Sequence, residues 1–424
     1  MNTLNIMNLL LAFLFVPACS YAGESQSKAF SQLLNITAQI EPVSVPIPAS
    51  VPSFEKARKL GFKNLPPYTF SDGADISNLL VSAINSSTVS VDVAIYGITL
   101  ENVAEALVKA QKRRVAVRVI INESHVFHSK VSQALQTLID GGVNLRTLRG
   151  LGKYGIMHNK VAVFDSKIVV TGSYNWTVTA NTANYENIIF TYAPNIINGY
   201  SKYFRWMWKY SRPLKDGPAG EYPPGHVGVP PVDPSPSVEL NGLILPSYSF
   251  SPAGTTEEYV IKAINAAQSS LDVAVFSFYS DNIAAAVINA KKRGVEVRVV
   301  TDKVQASQSY TVRELIENGV QLRWSRGFAG QGVMHNKFAV VDGKMLMTGS
   351  FNWSLNAQLN NFENMFYTVD PDFVGGYLAE FDKIYRQALV PAKADLEGAP
   401  REIFEGSKSF GFHLTAPDSD PIQE

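Results

Sequence analysis

The peptide Met157-His158-Asn159-Lys160 recurs as Met334-His335-Asn336-Lys337, with His158 and His335 separated by 177 positions. Histidine and lysine two residues apart, at the head of an apolar stretch, put an imidazole and an ammonium on one face of a strand. The apolar stretch ends in Asp165 or Asp342. It is followed in each copy by Thr-Gly-Ser-aromatic-Asn-Trp, which contains Ser173 and Asn175 or Ser350 and Asn352, and then by Glu186-Asn187 or Glu363-Asn364. Such a set suits a phosphodiester. Lys160 and Lys337 can neutralise the non-bridging oxygens, while Ser173, Ser350, Asn175 and Asn352 donate hydrogen bonds as charge grows on them. One histidine can attack phosphorus and another can protonate the departing alcohol, because imidazole titrates near neutrality. No metal and no cofactor are required: a protonated lysine is not a ligand, and no carboxylate cluster accompanies the histidines.

The elements around these residues are duplicated as well. Asp92-Val93-Ala94-Ile95-Tyr96 matches Asp272-Val273-Ala274-Val275-Phe276, here with an offset of 180, so the second copy has lost three residues in the loop after Asn122. Within the first copy, spacing predicts helices over Ile76 to Asn85, Asn102 to Lys112 and Val131 to Asp140. Strands are predicted over Val89 to Tyr96, Val115 to Ile121, Lys160 to Phe164 and Ile168 to Thr171. Helices alternating with strands imply an α/β fold: two duplicated α/β/α sandwich halves related by a pseudo-twofold, with one active site between them. The expected division is a first half over 66–211, a Pro-rich linker over 212–240 and a second half over 241–390, flanked by an N-terminal arm over 23–65 and a tail over 391–424.

At 424 residues, 46% hydrophobic and 17% charged, the chain can bury two cores. A formal net charge of zero speaks against a surface built wholly for nucleic acid, though not against a basic cleft. The apolar run Leu9 to Val16, with Ser20-Tyr21-Ala22 after it, reads as a signal peptide over 1–22, so the mature protein is expected to be secreted or periplasmic. The only cysteine, Cys19, falls inside that segment. Lipoprotein anchoring there is the less favoured reading, since Pro17 fits a lipidation site poorly. Thiol catalysis, disulfides and thiolate metal sites drop out of the mature chain.

His-x-Lys-x4-Asp followed by Gly-Ser-x-Asn, complete in both copies, resembles the signature of the phospholipase D superfamily. The resemblance covers roughly residues 70 to 210 and 245 to 390. It implies a covalent phosphohistidine on one histidine, with the other acting first as general acid and then as the base that activates water. By the family's habit His158 is the nucleophile and His335 the acid and base, although a symmetric pair can be used either way. Glu186 and Glu363 correspond to carboxylates that orient a histidine through its other ring nitrogen. Asp165 and Asp342 are expected to support strand and turn geometry rather than touch substrate. Phospholipid is the leading substrate, giving phosphatidic acid and a head-group alcohol. Nucleic acid is the alternative, because Gly-Ser-Tyr-Asn-Trp-Thr and Asn-Tyr-Glu-Asn look like the endonuclease and cardiolipin hydrolase branch.

The same residues also admit a pair of satisfied strand-end histidines, a binding-only relative, or a phosphate-binding adhesin or toxin component. Complete motifs in both copies argue against the first two, and the third requires the site to be blocked. His125, His128, His226 and His413 have no partners in the repeat and read as loop or linker residues, the first two in a loop that can border the cleft. The glycine-rich stretches Gly150 to Gly155 and Gly327 to Gly332 are expected to admit substrate or bend the backbone. One helix face differs between the copies: Tyr203, Trp206 and Tyr210 stand where the second has Glu380, Lys383 and Gln387. That aromatic stripe either packs under the Pro-rich linker or touches a membrane surface, against a solvated twin.

Overall fold

The computed structural model describes residues 61–62 and 65–392. The expected signal peptide, Cys19, nearly all of the N-terminal arm, almost all of the tail and His413 lie outside the described residues.

β-branched and apolar runs form two sheets of the same design. In the first half β1 (Tyr68–Phe70), β2 (Ser90–Ile95), β3 (Ala116–Asn122), β4 (Asn144–Leu148), β5 (Lys160–Phe164), β6 (Ile168–Gly172), β7 (Asn187–Thr191) and β8 (Arg212–Pro213) pair in the order β1-β7-β6-β5-β2-β3-β4-β8. After a small hairpin of β9 (Val238–Leu240) and β10 (Leu243–Leu245) come β11 (Tyr248–Ser251), β12 (Ser270–Val275), β13 (Glu296–Asp302) and β14 (Gln321–Ser325). The chain then adds β15 (Lys337–Val341), β16 (Met345–Gly349) and β17 (Glu363–Thr368). The second sheet repeats the order as β11-β17-β16-β15-β12-β13-β14. β2 runs parallel to β3 and antiparallel to β5, with Ile95 opposite both Ile121 and Lys160. The carboxyl ends of β2 and β3 therefore meet the amino end of β5, where His158 emerges.

Alternation along the strands divides their side chains between two cores. Val91, Val93, Ile95, Ala162 and Phe164 face helices Ile76–Ser86, Glu101–Lys112 and Gln133–Asp140 on the outer side of the first sheet. Val161 and Val163 face inward, into a core that also holds Phe338 and Val340 of the second half. Two long helices, Pro194–Tyr210 and Pro371–Gln387, line this shared core. Arg118 and Arg298 fasten them to the sheets in matched fashion: each pairs with an aspartate, Asp92 or Asp272, and lies over the aromatic rings of its helix. The predicted helices and strands appear within two residues of their expected ends. Strands β1, β4 and β7, with their second-half twins, were not anticipated. β4 is polar at alternate positions, and β7 begins inside a motif that reads as chemistry before it reads as structure.

The aromatic stripe needs correction. Tyr203 is buried and stacks on Phe250 of the second half with ring centroids 3.8 Å apart. Trp206 lies against Tyr203 and Phe362, and Tyr210 accepts a hydrogen bond from Gly228 of the linker. The stripe is part of the junction between the halves and the linker, so Tyr203 is closed to a membrane. Its twin is only partly solvated, with Gln387 exposed. Glu380 is buried and pairs with Lys383, which also reaches Asp72 of the first half at 2.6 Å, and Tyr185 donates to Gln387. One face of the pseudo-twofold junction is thus aromatic and the other ionic.

Burial first, then the Asp72 charge, pushes the Glu380 carboxyl up to about 7, against the pull of Lys383. A raised carboxyl holds its proton better in the folded state, so the stability it confers is complete below the ordinary glutamate range and falls as pH rises towards 7. Glu380→Gln should therefore flatten the decline in urea-unfolding free energy between about pH 4.5 and 7, leaving the variant roughly 1–3 kcal/mol better placed at pH 8 relative to its own value at pH 4. Identical slopes in both proteins would show that the ionic face contributes nothing to the pH dependence.

Candidate active site

Each histidine peptide is anchored on the opposite half. His158 N–H donates to the Phe362 carbonyl at 3.0 Å, and His335 N–H donates to the Tyr185 carbonyl at 3.0 Å. The next residues along those partner segments are Glu363 and Glu186, so the backbone pairing carries each glutamate to the histidine of the other half. His158 Nδ1 lies 2.8 Å from Glu363 Oε1, and His335 Nδ1 lies 2.8 Å from Glu186 Oε2. A carboxylate can only accept, so Nδ1 carries the hydrogen and each Nε2 is left with the lone pair that chemistry would use. The expectation that these glutamates orient histidines now acquires its connectivity: the orientation is exchanged between halves. Both pairs are buried, where an unpaired charge would be costly.

The lysines curl back on the same peptides. Lys160 Nζ donates to the His158 carbonyl and Lys337 Nζ to the His335 carbonyl, both at 2.9 Å. Lys337 Nζ also stands 2.7 Å from His335 Nε2. All four side chains are buried, and Tyr96 and Phe276 pack edge-on against His158 and His335 at 5.1 and 4.8 Å. Asn175 and Asn352 lie at the same turns in the two halves. Both carboxamide atoms of Asn352 are buried without a hydrogen-bond partner among the described residues. A buried carboxamide left in that state is a demand for a polar ligand.

The serines fit their expected part less well. Ser173 Oγ donates to Glu186 Oε2 at 2.6 Å and accepts from Asn187 N–H at 3.0 Å. Its single proton goes to the glutamate, so it holds the carboxylate that holds His335 and does not face a phosphate. Ser350 Oγ accepts from the Asn364 N–H at 3.1 Å in the matching place.

Asp165 and Asp342 sit at the far ends of β5 and β15 from the histidines, about five strand residues or roughly 17 Å away. Asp165 accepts from the N–H groups of Thr88, Val89 and Ser90; Asp342 accepts from those of Gln268, Ser269 and Ser270. Burial works to raise the Asp342 carboxyl, but these donors prevail and bring it down to about 2. Both are turn-holding groups with φ of 52° and 53°.

Some positions that tie the two halves together beside the histidines are not evident from the sequence. Asn187 Nδ2 donates to Asn336 Oδ1 at 2.7 Å and Asn364 Nδ2 to Asn159 Oδ1 at 2.9 Å, tying the residue after each glutamate to the residue after each histidine across the halves. Thr171 and Tyr200 donate to Asn364, and Thr348 and Tyr377 to Asn187. The repetition of Asn at all four positions was the available signal. The glycine stretches serve the same junction: a Cβ at Gly150 would meet Asn360 O at 2.4 Å, and one at Gly327 would meet Ala183 O at 2.0 Å. Close approach between halves explains them better than substrate entry. His125 packs edge-on against Tyr96 at 4.7 Å, one ring removed from His158, while His128 is exposed and His226 stacks on Tyr222 of the linker. Among the described residues no three His, Cys, Asp or Glu side chains converge in a way that would hold a metal ion.

Two buried His–Glu pairs are exchanged between twin α/β halves, with a lysine folded back beside each. The family model described as "Cardiolipin synthase, PLD-like domain" matches residues 80–208 and again 260–385, together more than half of the chain. The chain therefore belongs to the phospholipase D superfamily. It is 36% identical over 172 residues to the human "Mitochondrial cardiolipin hydrolase", a match covering 39% of this chain and 67% of that relative. It is 34% identical over 122 residues to "Phospholipase D" of Rickettsia prowazekii (strain Madrid E), covering 28% of this chain and 56% of that one. Among solved structures, phosphatidylserine synthase of Haemophilus influenzae Rd KW20 shares the fold at a TM-score of 0.56 and 14% identity, over 80% of this chain and 92% of that one.

Proposed function

We propose that this protein is a secreted or periplasmic, metal-independent phosphodiesterase that cleaves phospholipid to phosphatidic acid and a head-group alcohol. The exchanged pairs His158–Glu363 and His335–Glu186, both at 2.8 Å, carry the reading. His158 Nε2 attacks phosphorus, and the bond to the head-group oxygen breaks as His335 Nε2–H gives that oxygen its proton. Water then attacks the phosphohistidine, passes its proton to His335, and the N–P bond breaks. Lys160 and Lys337 hold the non-bridging oxygens, with Asn352 and Asn175 donating as their charge grows. Turning Lys337 Nζ from its 2.7 Å contact with His335 Nε2 onto a phosphate oxygen opens that ring nitrogen to the leaving oxygen and to water. The polar groups need nothing from a metal, because the ammonium ions supply the positive charge.

Offering the purified protein phosphatidylcholine, cardiolipin, single-stranded DNA and RNA in EDTA tests this. Lipid turnover should persist undiminished by the chelator, with nucleic acid left intact. Activity lost to EDTA would remove the metal-free mechanism, and cleavage of DNA or RNA without lipid would replace the reading with that of a nuclease.

A further inference from the structure

With the aromatic stripe packed in the junction, a contact surface has to be sought elsewhere, and the departures of one half from the other locate it. Each Asn-Trp turn of the site leads directly into a five-residue surface helix, Val178–Thr182 or Leu355–Leu359, which begins three residues after Asn175 or Asn352. In the second half that helix exposes Leu355 and Leu359, each 52% accessible and four residues apart on one face. Tyr279 connects it to the neighbouring loop: its N–H donates to Trp353 O at 2.7 Å and its hydroxyl to Gln305 O at 3.1 Å. Beside Gln305 stands Val304, 50% accessible, and the following helix begins with Tyr310 at 49%.

The first half builds the same places from Thr99, Ser124, Gln133 and Thr182, and only Val178 matches the apolar character of Leu355. Two copies of one design thus present one polar and one apolar lip. The apolar lip is also cationic at its margins. Lys303 precedes Val304 where the first half has the buried, linker-bound Glu123. Exposed Lys153 adjoins Tyr154, whose carbonyl accepts from Asn356 of the Leu355–Leu359 helix at 3.4 Å, and its counterpart is Gly330. Of the carboxylates around this lip, Asp281 and Glu257 accept hydrogen bonds from Thr311 and Ser280, and Glu314 lies one turn beyond Tyr310 on its helix.

From this asymmetry we infer that the second-half lip formed by Leu355, Leu359, Val304 and Tyr310 docks on an anionic phospholipid surface and presents one head group to the site. Aliphatic side chains enter the acyl boundary, lysines meet anionic head groups, and this pairing of chemistries is that of an interfacial contact. Nucleobases would call for flat aromatic platforms, and this lip is mainly aliphatic. The inference rests on the phosphodiesterase reading only for its use; the docking itself is separable.

The test compares the full chain with Leu355→Asp/Leu359→Asp and, as a control at an exposed position on the linker, Val229→Asp. Co-sedimentation with vesicles of phosphatidylcholine containing cardiolipin, and with phosphatidylcholine alone, reads docking. Hydrolysis of soluble bis(p-nitrophenyl) phosphate reads the site. The double variant should partition onto anionic vesicles at least about tenfold more weakly than wild type, with soluble-substrate turnover and circular dichroism unchanged. Val229→Asp should bind as wild type, and neutral vesicles should bind less of both. Wild-type binding by the double variant overturns the inference, as does tighter capture of single-stranded DNA than of anionic vesicles. Should no phosphodiester be cleaved while vesicle binding still depends on Leu355 and Leu359, the docking surface stands and the proposed reaction falls.

Discussion

His158→Asn is expected to lower phosphodiester turnover by at least about 10⁴-fold, which corresponds to roughly 5–6 kcal/mol of transition-state stabilisation at 1.36 kcal/mol per decade. Asparagine has no ring nitrogen to form the N–P bond, so no partial reaction should survive and no phosphoenzyme should appear after rapid quench with labelled substrate. His335→Asn is expected to cost nearly as much in steady state, yet for a different reason. On the proposed roles the attacking histidine remains, held by Glu363 at 2.8 Å, and only the proton supply to the leaving alcohol and the base for water are gone. With a substrate whose leaving group departs without protonation, such as p-nitrophenolate, this variant should form phosphoenzyme and retain it. Removal of either histidine leaves a buried glutamate without its partner, so thermal unfolding must accompany the kinetics: loss of fold would show as a displaced transition, loss of chemistry would not. A phosphoenzyme on His158→Asn and none on His335→Asn would exchange the two roles. Mild and equal losses in both would refute a shared site.

The legible part of this molecule was the part written twice. Duplication of Met-His-Asn-Lys and of the apolar runs around it made both sheets and the polar set of the site readable, because alternation of two and helical spacing are local properties of the chain. The exchange of Glu186 and Glu363 between halves was not legible, since both copies carry the same glutamate and sequence spacing is blind to which histidine it reaches. Ser173 shows the same limit: its type admits a phosphate donor, and only the 2.6 Å approach of Glu186 Oε2 decides where its proton goes. Glu380 and Lys383 misled in the opposite direction. Charged residues on a helix face usually mean solvent, but here Lys383 reaches Asp72 across the junction at 2.6 Å and keeps the buried carboxylate company. The apolar lip at Leu355 and Leu359 became visible only once exposure could be set beside the repeat.

Glu363→Gln and Glu186→Gln turn the exchange itself into a measurement. An amide keeps the shape of the carboxylate but removes the charge that stabilises an imidazolium, and its NH2 end can push the ring into the wrong tautomer; comparable carboxylate-to-amide changes beside catalytic histidines cost up to about 10⁴ in turnover. We expect each single change to cost about 10²–10⁴-fold. Their kinetic signatures should differ according to the histidine each glutamate touches. Glu363 holds His158, so Glu363→Gln should slow the phosphorylation burst for good and poor leaving groups alike. Glu186 holds His335, so Glu186→Gln should be most damaging with an alcohol leaving group and should recover much of its burst with p-nitrophenolate, leaving slow dephosphorylation behind. Were each glutamate serving the histidine of its own half, these signatures would be interchanged. The double variant adds a further constraint, because the two glutamates act on different histidines within one reaction: with p-nitrophenolate as leaving group its defect in the burst should follow Glu363→Gln, whereas its defect in dephosphorylation should include that of Glu186→Gln. A burst restored to wild type by the good leaving group in Glu363→Gln would mean that His158 is not the attacking residue, whatever its distance from Glu363.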